Sequence, residues 1–139
     1  MADAVWTTYI KNVRAYSKNS CDKAAIIGLD GNVLTSTTAL NSLNISPTEA
    51  ATIATAFSNK AYDAEFRSNG VTVDGVTYKY LKHDEDEQQV MAKKKECGAI
   101  TMQASKTAVV IGHTFEGAKQ EFTNIGVDSA ADFLKKQDR

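Results

Sequence analysis

The residue types that most often carry catalysis or bind metals are few in this chain. There are two histidines, His83 and His113, and two cysteines, Cys21 and Cys97. None of them has the spacing of a zinc site or a neighbour that would activate a nucleophile. No glycine-rich phosphate loop follows any predicted strand. The sequence therefore predicts a protein that is not an enzyme, with no metal site and no cofactor.

A group of aromatic residues is better suited to ligand binding. Trp6 and Tyr9 lie one helical turn apart near the beginning of the sequence, and Phe133 and Leu134 lie near its end. If the two terminal helices pack side by side, these rings come together. Pyrrolidine rings of a polyproline II segment stack on such a surface, while indole N–H and phenol O–H groups donate to its carbonyls. The alternative is that the rings only seal the terminal helices onto the sheet.

Lysines form a second candidate binding surface. The net charge is only −1, so any basic face is local and the chain lacks the overall field of a nucleic-acid-binding protein. A local basic face attracts acidic protein surfaces or anionic lipid headgroups, although a lysine-protected sheet edge is the alternative interpretation. The residues concerned are Lys79, Lys82, Lys93, Lys94, Lys95, Lys119, Lys135 and Lys136.

Length and composition point to one domain. The chain has 139 residues, of which 42% are hydrophobic, and it has a single proline. This fits one domain spanning residues 1–139, without a linker or repeat. The longest apolar runs, residues 24–27 and 108–111, have four residues each and are too short to span a bilayer. With two cysteines and no signal peptide pattern, we expect a soluble intracellular protein.

Apolar periodicity and capping residues predict the first half of the chain. A stripe at helical spacing ends at residues 17–20 and predicts an N-terminal helix with Asp3 as its N-cap. A strand over residues 24–29 and the turn Asp30-Gly31 lead to a second strand over residues 33–37. Ser46-Pro47-Thr48-Glu49 is a capping box, which predicts a helix to about Phe57. A further helical turn is expected over residues 62–66.

After Gly70 the apolar period changes to two, which indicates strands. Five strands with short connections predict an antiparallel meander, and the acidic segment 83–87 predicts a turn between two of them. A last helix is expected over residues 116–136. The predicted fold is an α+β domain with a central antiparallel sheet, helices on its faces and the two terminal helices side by side.

Several segments, taken in order, resemble the profilins, which are small actin-monomer-binding proteins. The resemblance implies six or seven antiparallel strands, the terminal helices on one face and shorter helices on the other. It also implies cytoplasmic regulation of actin polymerisation with three ligands: monomeric actin, proline-rich elongation factors and phosphatidylinositol bisphosphate. The segments are Trp6-Thr7-Thr8-Tyr9-Ile10, Asp22-Lys23-Ala24-Ala25-Ile26-Ile27-Gly28, Asn44-Ile45-Ser46-Pro47-Thr48-Glu49, Ser68-Asn69-Gly70-Val71, Gly98-Ala99-Ile100-Thr101, Thr107-Ala108-Val109-Val110-Ile111-Gly112 and Ala131-Asp132-Phe133-Leu134.

By position, the resemblance also implies which residues bind each ligand. The polyproline groove would use Trp6, Tyr9, Phe133 and Leu134. The actin surface would use Phe66, Lys82, Lys94, Lys119 and Asn124, although the sequence pattern around Phe66 by itself favours a core position. Phosphoinositide binding would use Lys82, Lys93, Lys94, Lys95, Lys135 and Lys136.

Two positions depart from the family pattern. Leu34 stands where many profilins have a second tryptophan, and Arg139 stands where vertebrate members have tyrosine. Each change removes a ring that contributes about 1 kcal/mol when stacked. We therefore expect polyproline binding that is weaker or differently selective. The sequence leaves open whether other groove residues, such as Asn12 or Tyr16, offset the loss.

The alternative from another class is a longin-like or PAS-like sensor or adaptor domain. Such a domain has a similar layered shape, and it would have an internal ligand cavity or a dimer surface. It gives no reason for Trp6 and Phe133 to converge.

Overall fold

The computed structural model describes residues 4–36, 38–84 and 89–139. The expected N-cap, Asp3, and most of the expected acidic turn lie outside these ranges. The elements in chain order are α1 (Ala4–Ala15), β1 (Cys21–Gly28), α2 (Pro47–Ser58), α3 (Tyr62–Asn69), β2 (Val71–Val73), β3 (Val76–Asp84), β4 (Gln89–Lys94), β5 (Gly98–Ala104), β6 (Ala108–Thr114) and α4 (Gln120–Lys136).

The described strands form one antiparallel sheet of six, in the order β1-β6-β5-β4-β3-β2. From β2 to β6 each strand pairs with its successor, because connections this short leave no room for a crossover. This confirms the predicted meander. β1 then pairs with β6 at the far edge, with Ala25 opposite Ile111.

Helices cover both faces of the sheet, as predicted. α1 and α4 pack against each other on one face, with α1 over β1 and α4 over β5 and β6. α2 and α3 pack on the other face. Because side chains alternate along a strand, Ile26 and Val110 contact α1 and α4, while Ile27 and Ile111 belong to the core under α2 and α3.

A glycine allows the two terminal helices to approach closely. A Cβ atom at Gly126 of α4 would overlap the Ser17 hydroxyl and the Val13 carbonyl at the end of α1. The Ser17 hydroxyl donates to the Val13 carbonyl at 2.6 Å, and this hydrogen bond holds the hydroxyl beside the point where α1 and α4 cross. The spacing of the α1–α4 seam therefore depends on the absence of a side chain at residue 126.

The predicted capping box is present and also anchors a neighbouring turn. The Ser46 hydroxyl accepts the Glu49 N–H at 3.1 Å, and the Glu49 carboxylate accepts the Ser46 N–H at 2.9 Å. The same carboxylate accepts the N–H groups of Asp74 and Gly75 at 3.0 and 2.9 Å. The start of α2 is thus tied to the β2–β3 turn.

The predicted strand over residues 33–37 is reduced to a single bridge between Val33 and Ile27. Beyond that bridge the Thr35 hydroxyl accepts the Ile26 N–H at 3.1 Å, so a side chain takes the place of a strand partner. The last residue of the predicted strand lies outside the described ranges.

The strand β3 is longer than predicted. It continues through His83, which pairs with Val90, to Asp84, where a turn was expected. The ring nitrogen Nδ1 of His83 is hydrogen-bonded to the Tyr80 hydroxyl at 2.6 Å, which adds a side-chain contact along the strand.

The last helix starts later than predicted, at Gln120 rather than near Glu116. The Glu116 carboxylate instead accepts the N–H of Gly98 at 3.0 Å. The next residue, Gly117, has a φ of +92°, which is outside the helical region. A loop therefore connects β6 to α4.

Candidate functional site

Three aromatic rings from opposite ends of the sequence form a continuous row. The ring centroids of Trp6 and Tyr9 are 5.9 Å apart, and those of Tyr9 and Phe133 are 6.0 Å apart. Phe133 is 48% exposed, while Trp6 is partly buried and Tyr9 is buried. The expected convergence of Trp6 and Phe133 is therefore present.

Leu134 does not belong to the exposed part of this row. Its side chain is fully buried in the core between the terminal helices and the sheet. The predicted ligand contact by Leu134 is wrong, because the next residue along a helix points about 100° away from Phe133. Leu134 instead fixes the helix turn that presents Phe133.

An open groove of about 460 Å³ lies along the seam between α1 and α4. It begins at Tyr9 and runs away from Trp6 towards Tyr16, whose ring is 62% exposed. The polyproline-binding residues implied by the resemblance include none at the Tyr16 end of the groove. The seven-residue spacing of Tyr9 and Tyr16 was the available signal, because it places both rings on one helix face. The lining residues are Tyr9, Asn12, Tyr16, Ser129, Ala130, Asp132, Phe133 and Lys136.

At the other end of the ring row, a cation covers Trp6. The guanidinium carbon of Arg139 lies 5.5 Å from the centroid of the Trp6 ring, within cation–π distance. The backbone of Arg139 is fixed, because its N–H donates to Leu134 and its carbonyl accepts from Thr107, each at 2.9 Å. Leu34, partly buried, packs against the same core as Trp6.

A second surface lies on β3 and β4, on the side of the sheet that carries α4. Lys79 of β3 is directly opposite Lys93 of β4, and Lys82 is opposite Met91. Lys93 also lines a hollow of about 240 Å³ with residues at the start of α4. We call Lys79, Lys82, Lys93 and Lys119 the lysine face; all four are exposed.

The lysine face has the composition of a surface for an anionic partner. Like charges directly opposite each other destabilise a strand pair, and Lys79 and Lys93 form such a pair. Leu81, which precedes Lys82 in sequence, is also exposed, at 48%. A local excess of positive charge attracts an oppositely charged partner surface.

Lys94, unlike Lys93, does not belong to this face. Val90 and Ala92 point into the core under α2 and α3, so Lys94, two residues further, is on that side of the sheet. Lys95 lies in the turn after β4. The prediction that Lys94 acts with Lys82 on one surface is therefore wrong, and Lys93 occupies the place expected for it.

The predicted actin contact by Phe66 is also wrong. Phe66 is 1% exposed and lies in the core under α2 and α3. Its ring centroid lies 6.4 Å from that of Phe57 and 6.2 Å from that of Tyr80. A side chain so enclosed cannot contact a partner without unfolding α3.

Asn124 lies at the edge of the lysine face but bonds inward. Its side-chain oxygen accepts the Thr101 hydroxyl at 2.6 Å, and its amide nitrogen donates to the Met91 sulfur at 3.5 Å. Its backbone carbonyl accepts from the Gln89 side chain at 3.0 Å. Asn124 therefore positions α4 on β4 and β5.

The six lysines expected to bind phosphoinositides do not form one cluster. Lys82 and Lys93 are beside the start of α4, whereas Lys135 and Lys136 are in its last turn. A helix of 17 residues separates these groups by roughly 25 Å. Lys136 lines the groove and pairs with Asp132 at 3.1 Å.

A histidine links three elements on the face of the sheet opposite the lysine face, where its ring lies 6.1 Å from that of Tyr78. Nδ1 of His113 lies 2.5 Å from the Asp22 carboxylate, and Nε2 lies 2.7 Å from the Cys97 carbonyl. Burial lowers the pKa of His113, but the hydrogen bonds to Asp22 and Cys97 outweigh burial and hold the pKa above its ordinary value. The imidazolium form satisfies both acceptors at once.

The thiols give no sign of reactivity. Both cysteines are free, and burial raises the pKa of Cys21 to about 11. In the part of the chain that the structure describes, no cluster of three metal-ligating side chains occurs. Within the same described ranges, no helix is long and apolar enough to cross a membrane.

Known proteins resemble this chain in sequence and in fold. The profilin of Clypeaster japonicus is 44% identical over 136 residues, covering 94% of this chain and 96% of that protein. The profilin of Strongylocentrotus purpuratus is 41% identical over 138 residues, with the same coverage. Acanthamoeba castellanii profilin IB has a TM-score of 0.78 at 26% identity, covering 96% of this chain and 99% of that one.

Two further profilins share the fold and were solved with a partner. Mouse profilin IIa, in complex with a double repeat from the FH1 domain of mDia1, has a TM-score of 0.73 at 16% identity, covering 96% and 99% of the two chains. LokiProfilin1, in complex with rabbit actin, has a TM-score of 0.75 at 17% identity, covering 98% of each. The sequence model of the profilin family matches residues 4–139. Together with the relatives above 40% identity, this match shows that the chain belongs to the profilins, a family of actin-binding proteins that are not enzymes.

Proposed function

We propose that this protein, as a single domain over residues 1–139, binds monomeric actin on the lysine face and proline-rich segments in the α1–α4 groove. Its role is stoichiometric regulation of actin polymerisation in the cytoplasm. The observation that carries the proposal is that the two surfaces lie at opposite ends of α4. The helix begins beside Lys93 and ends beside Phe133. Because the surfaces are at opposite ends of the helix, one molecule can hold both partners and raise the local actin concentration at an elongation factor.

The lysine face supports the actin part of the proposal. Family membership and the LokiProfilin1 complex with actin supply the partner class. The repulsion between Lys79 and Lys93 is relieved when an acidic partner surface lies over them.

The ring row supports the proline-rich ligand. A polyproline II helix has no internal hydrogen bonds, so its carbonyls are free to accept from groove side chains while its rings stack. Phe133 and the groove from Tyr9 onward provide both kinds of contact. The mouse profilin IIa complex with an FH1 repeat supplies the precedent for the ligand class.

We further propose that phosphatidylinositol bisphosphate binds the lysine face through Lys82 and Lys93. Neighbouring ammonium groups attract the multiply charged headgroup, at about 1 kcal/mol per lysine near an anionic surface. Lipid and actin would then compete for one surface. Lys135 and Lys136 form a separate, weaker basic pair at the groove end.

A matched pair of charge reversals on α4 tests the actin surface. Lys119→Glu places a negative charge at the lysine face, and we expect it to abolish co-migration with monomeric actin on native gels. Lys135→Glu makes the same charge change at the other end of the helix and should leave co-migration intact. Both positions are exposed, so circular dichroism should show an unchanged fold. Undiminished actin binding by Lys119→Glu would overturn the assigned surface.

A further inference from the structure

The open part of the ligand groove extends beyond the residues that the family resemblance points to. We infer that a proline-rich ligand runs along the α1–α4 seam as far as Tyr16, which contacts it directly and helps to set its affinity. This inference rests on the proposed function of the groove. It adds a contact at the end of the groove remote from Trp6.

The spacing of the tyrosines on α1 fits the repeat of the ligand. Tyr9 and Tyr16 are seven residues apart on one helix, so their rings share a face and are displaced by about 10 Å along the axis. Tyr16 follows the last residue of α1, and its N–H still donates to the Asn12 carbonyl at 3.1 Å. A polyproline II helix rises about 3.1 Å per residue, so this displacement corresponds to about three ligand residues, or one turn. Tyr9 is buried and forms the base of the groove, so the exposed Tyr16 ring lies about one ligand turn beyond that base.

The chemistry between the two tyrosines also suits such a ligand. Tyr16 presents a largely exposed ring, and Phe133 presents an exposed ring from α4. Between them, Asn12 and Ser129 place an amide and a hydroxyl along the groove, and both groups can donate to ligand carbonyls. The groove thus alternates ring surface with hydrogen-bond donors.

The charge in the groove favours an uncharged segment. The two charged residues that line it, Asp132 and Lys136, pair with each other at 3.1 Å. Because this pair is locally neutral, the groove has no excess charge with which to select an acidic or basic peptide. A neutral proline-rich segment is the occupant that fits both the rings and the charge.

The opposite end of the ring row explains why the added contact matters. The guanidinium carbon of Arg139 lies 5.5 Å from the centroid of the Trp6 ring. Part of the ring surface at the Trp6 end is therefore covered by a side chain of the protein itself. Tyr16 supplies a ring at the other end, which displaces the binding footprint along α1.

The test is binding of a fluorescein-labelled proline decamer measured by polarisation. Tyr16→Ala should weaken binding by about three- to tenfold, the effect of losing one stacked ring. Tyr16→Phe keeps the ring and should retain most of the affinity. Phe115→Ala removes an exposed ring outside the groove and should leave the affinity unchanged.

A second measurement locates the ligand. In the double variant Trp6→Phe, Tyr16→Trp, the only tryptophan is at position 16, and its fluorescence should change on addition of unlabelled decamer. Full wild-type affinity in Tyr16→Ala, together with no fluorescence change in the double variant, would overturn the inference while leaving the groove's function intact. Failure of the wild-type protein to bind the decamer would overturn both.

Discussion

Tyr9 and Phe133 lie across the seam between the two terminal helices, with their ring centroids 6.0 Å apart and their planes tilted by 52°. The contact joins the two ends of the sequence into one surface. Tyr9 is buried and serves as the base of the row, while Phe133 is exposed and available to a ligand. The groove therefore exists only when both helices are docked.

Trp6→Ala should weaken retention on a polyproline resin. Trp6 packs on Tyr9 and on the core between the terminal helices and the sheet, so its loss removes one ring and the lateral support of a second. We expect a loss of about 1–3 kcal/mol of binding free energy. The intrinsic fluorescence response to ligand should vanish with it, because Trp6 is the only tryptophan. Unchanged retention would place the groove elsewhere.

Arg139→Tyr should tighten binding of a proline decamer. The substitution replaces the guanidinium over Trp6 with a ring, which restores stacking surface at that end of the row. One added ring contributes about 0.5–1.5 kcal/mol, or about two- to tenfold in Kd. Arg139→Leu is the control, because it removes the charge without adding a ring. Equal gains in both variants would show that charge removal, and not the ring, is responsible.

Gly126→Ala should lower both stability and groove function. The added methyl group would overlap Ser17 and the Val13 carbonyl, so α1 and α4 would have to separate. Overpacking of this kind costs about 1–3 kcal/mol of unfolding free energy, measured by urea denaturation. Polyproline binding should weaken in the folded variant as well.

Ser17→Ala offers a second variant at the same crossing. The smaller side chain makes room for the methyl group of Gly126→Ala, so the double variant should recover part of the lost stability. If Gly126→Ala is as stable as the wild type, the crossing does not depend on this glycine.

The His113–Asp22 pair should make stability depend on pH in both directions. The pKa of His113 is raised above 6.5, which adds stability below about pH 6.5 that is lost as the pH rises through the folded value. For Asp22, burial raises the pKa, but the hydrogen bond from His113 outweighs burial and lowers it below 3.8. Its contribution is present above about pH 3.8 and is lost as the pH falls through the lower folded value. The pair is therefore complete between the two folded pKa values.

Asp22→Asn isolates this contribution. The unfolding free energy is measured by urea denaturation at about pH 5.5 and at about pH 8.5. The contribution of His113 should make the wild-type protein more stable at the lower pH, and this contribution should be smaller in the variant. The reason is that the amide cannot hold the imidazolium charge as the carboxylate does. An equal pH difference in both proteins would mean that the pair does not couple to folding.

The sequence predicted the parts of the fold that depend on local chemistry. The Ser46 capping box and the meander after Gly70 follow from capping and period-two patterns, and both are present. The convergence of Trp6 with Phe133 required only that the terminal helices lie together.

Exposure of individual site residues could not be predicted in the same way. For Phe66 the sequence pattern favoured the core and the resemblance implied a partner contact; the packing of α3 on β3 buries the side chain. Lys93 and Lys94 are neighbours on β4, so their side chains lie on opposite faces of the sheet. An error of one residue in the predicted strand register therefore assigns the wrong lysine to the lysine face. The open groove towards Tyr16 depends on the crossing at Gly126, which only the packed helices define.

Simultaneous binding of both partners tests the account most directly. Monomeric actin carrying a fluorescent label should be titrated with this protein by sedimentation velocity, with and without an excess of proline decamer. We expect a one-to-one complex of this protein with actin whose affinity is the same in both titrations, and labelled decamer should sediment together with that complex. Absence of a complex, or displacement of actin by the decamer, would contradict it.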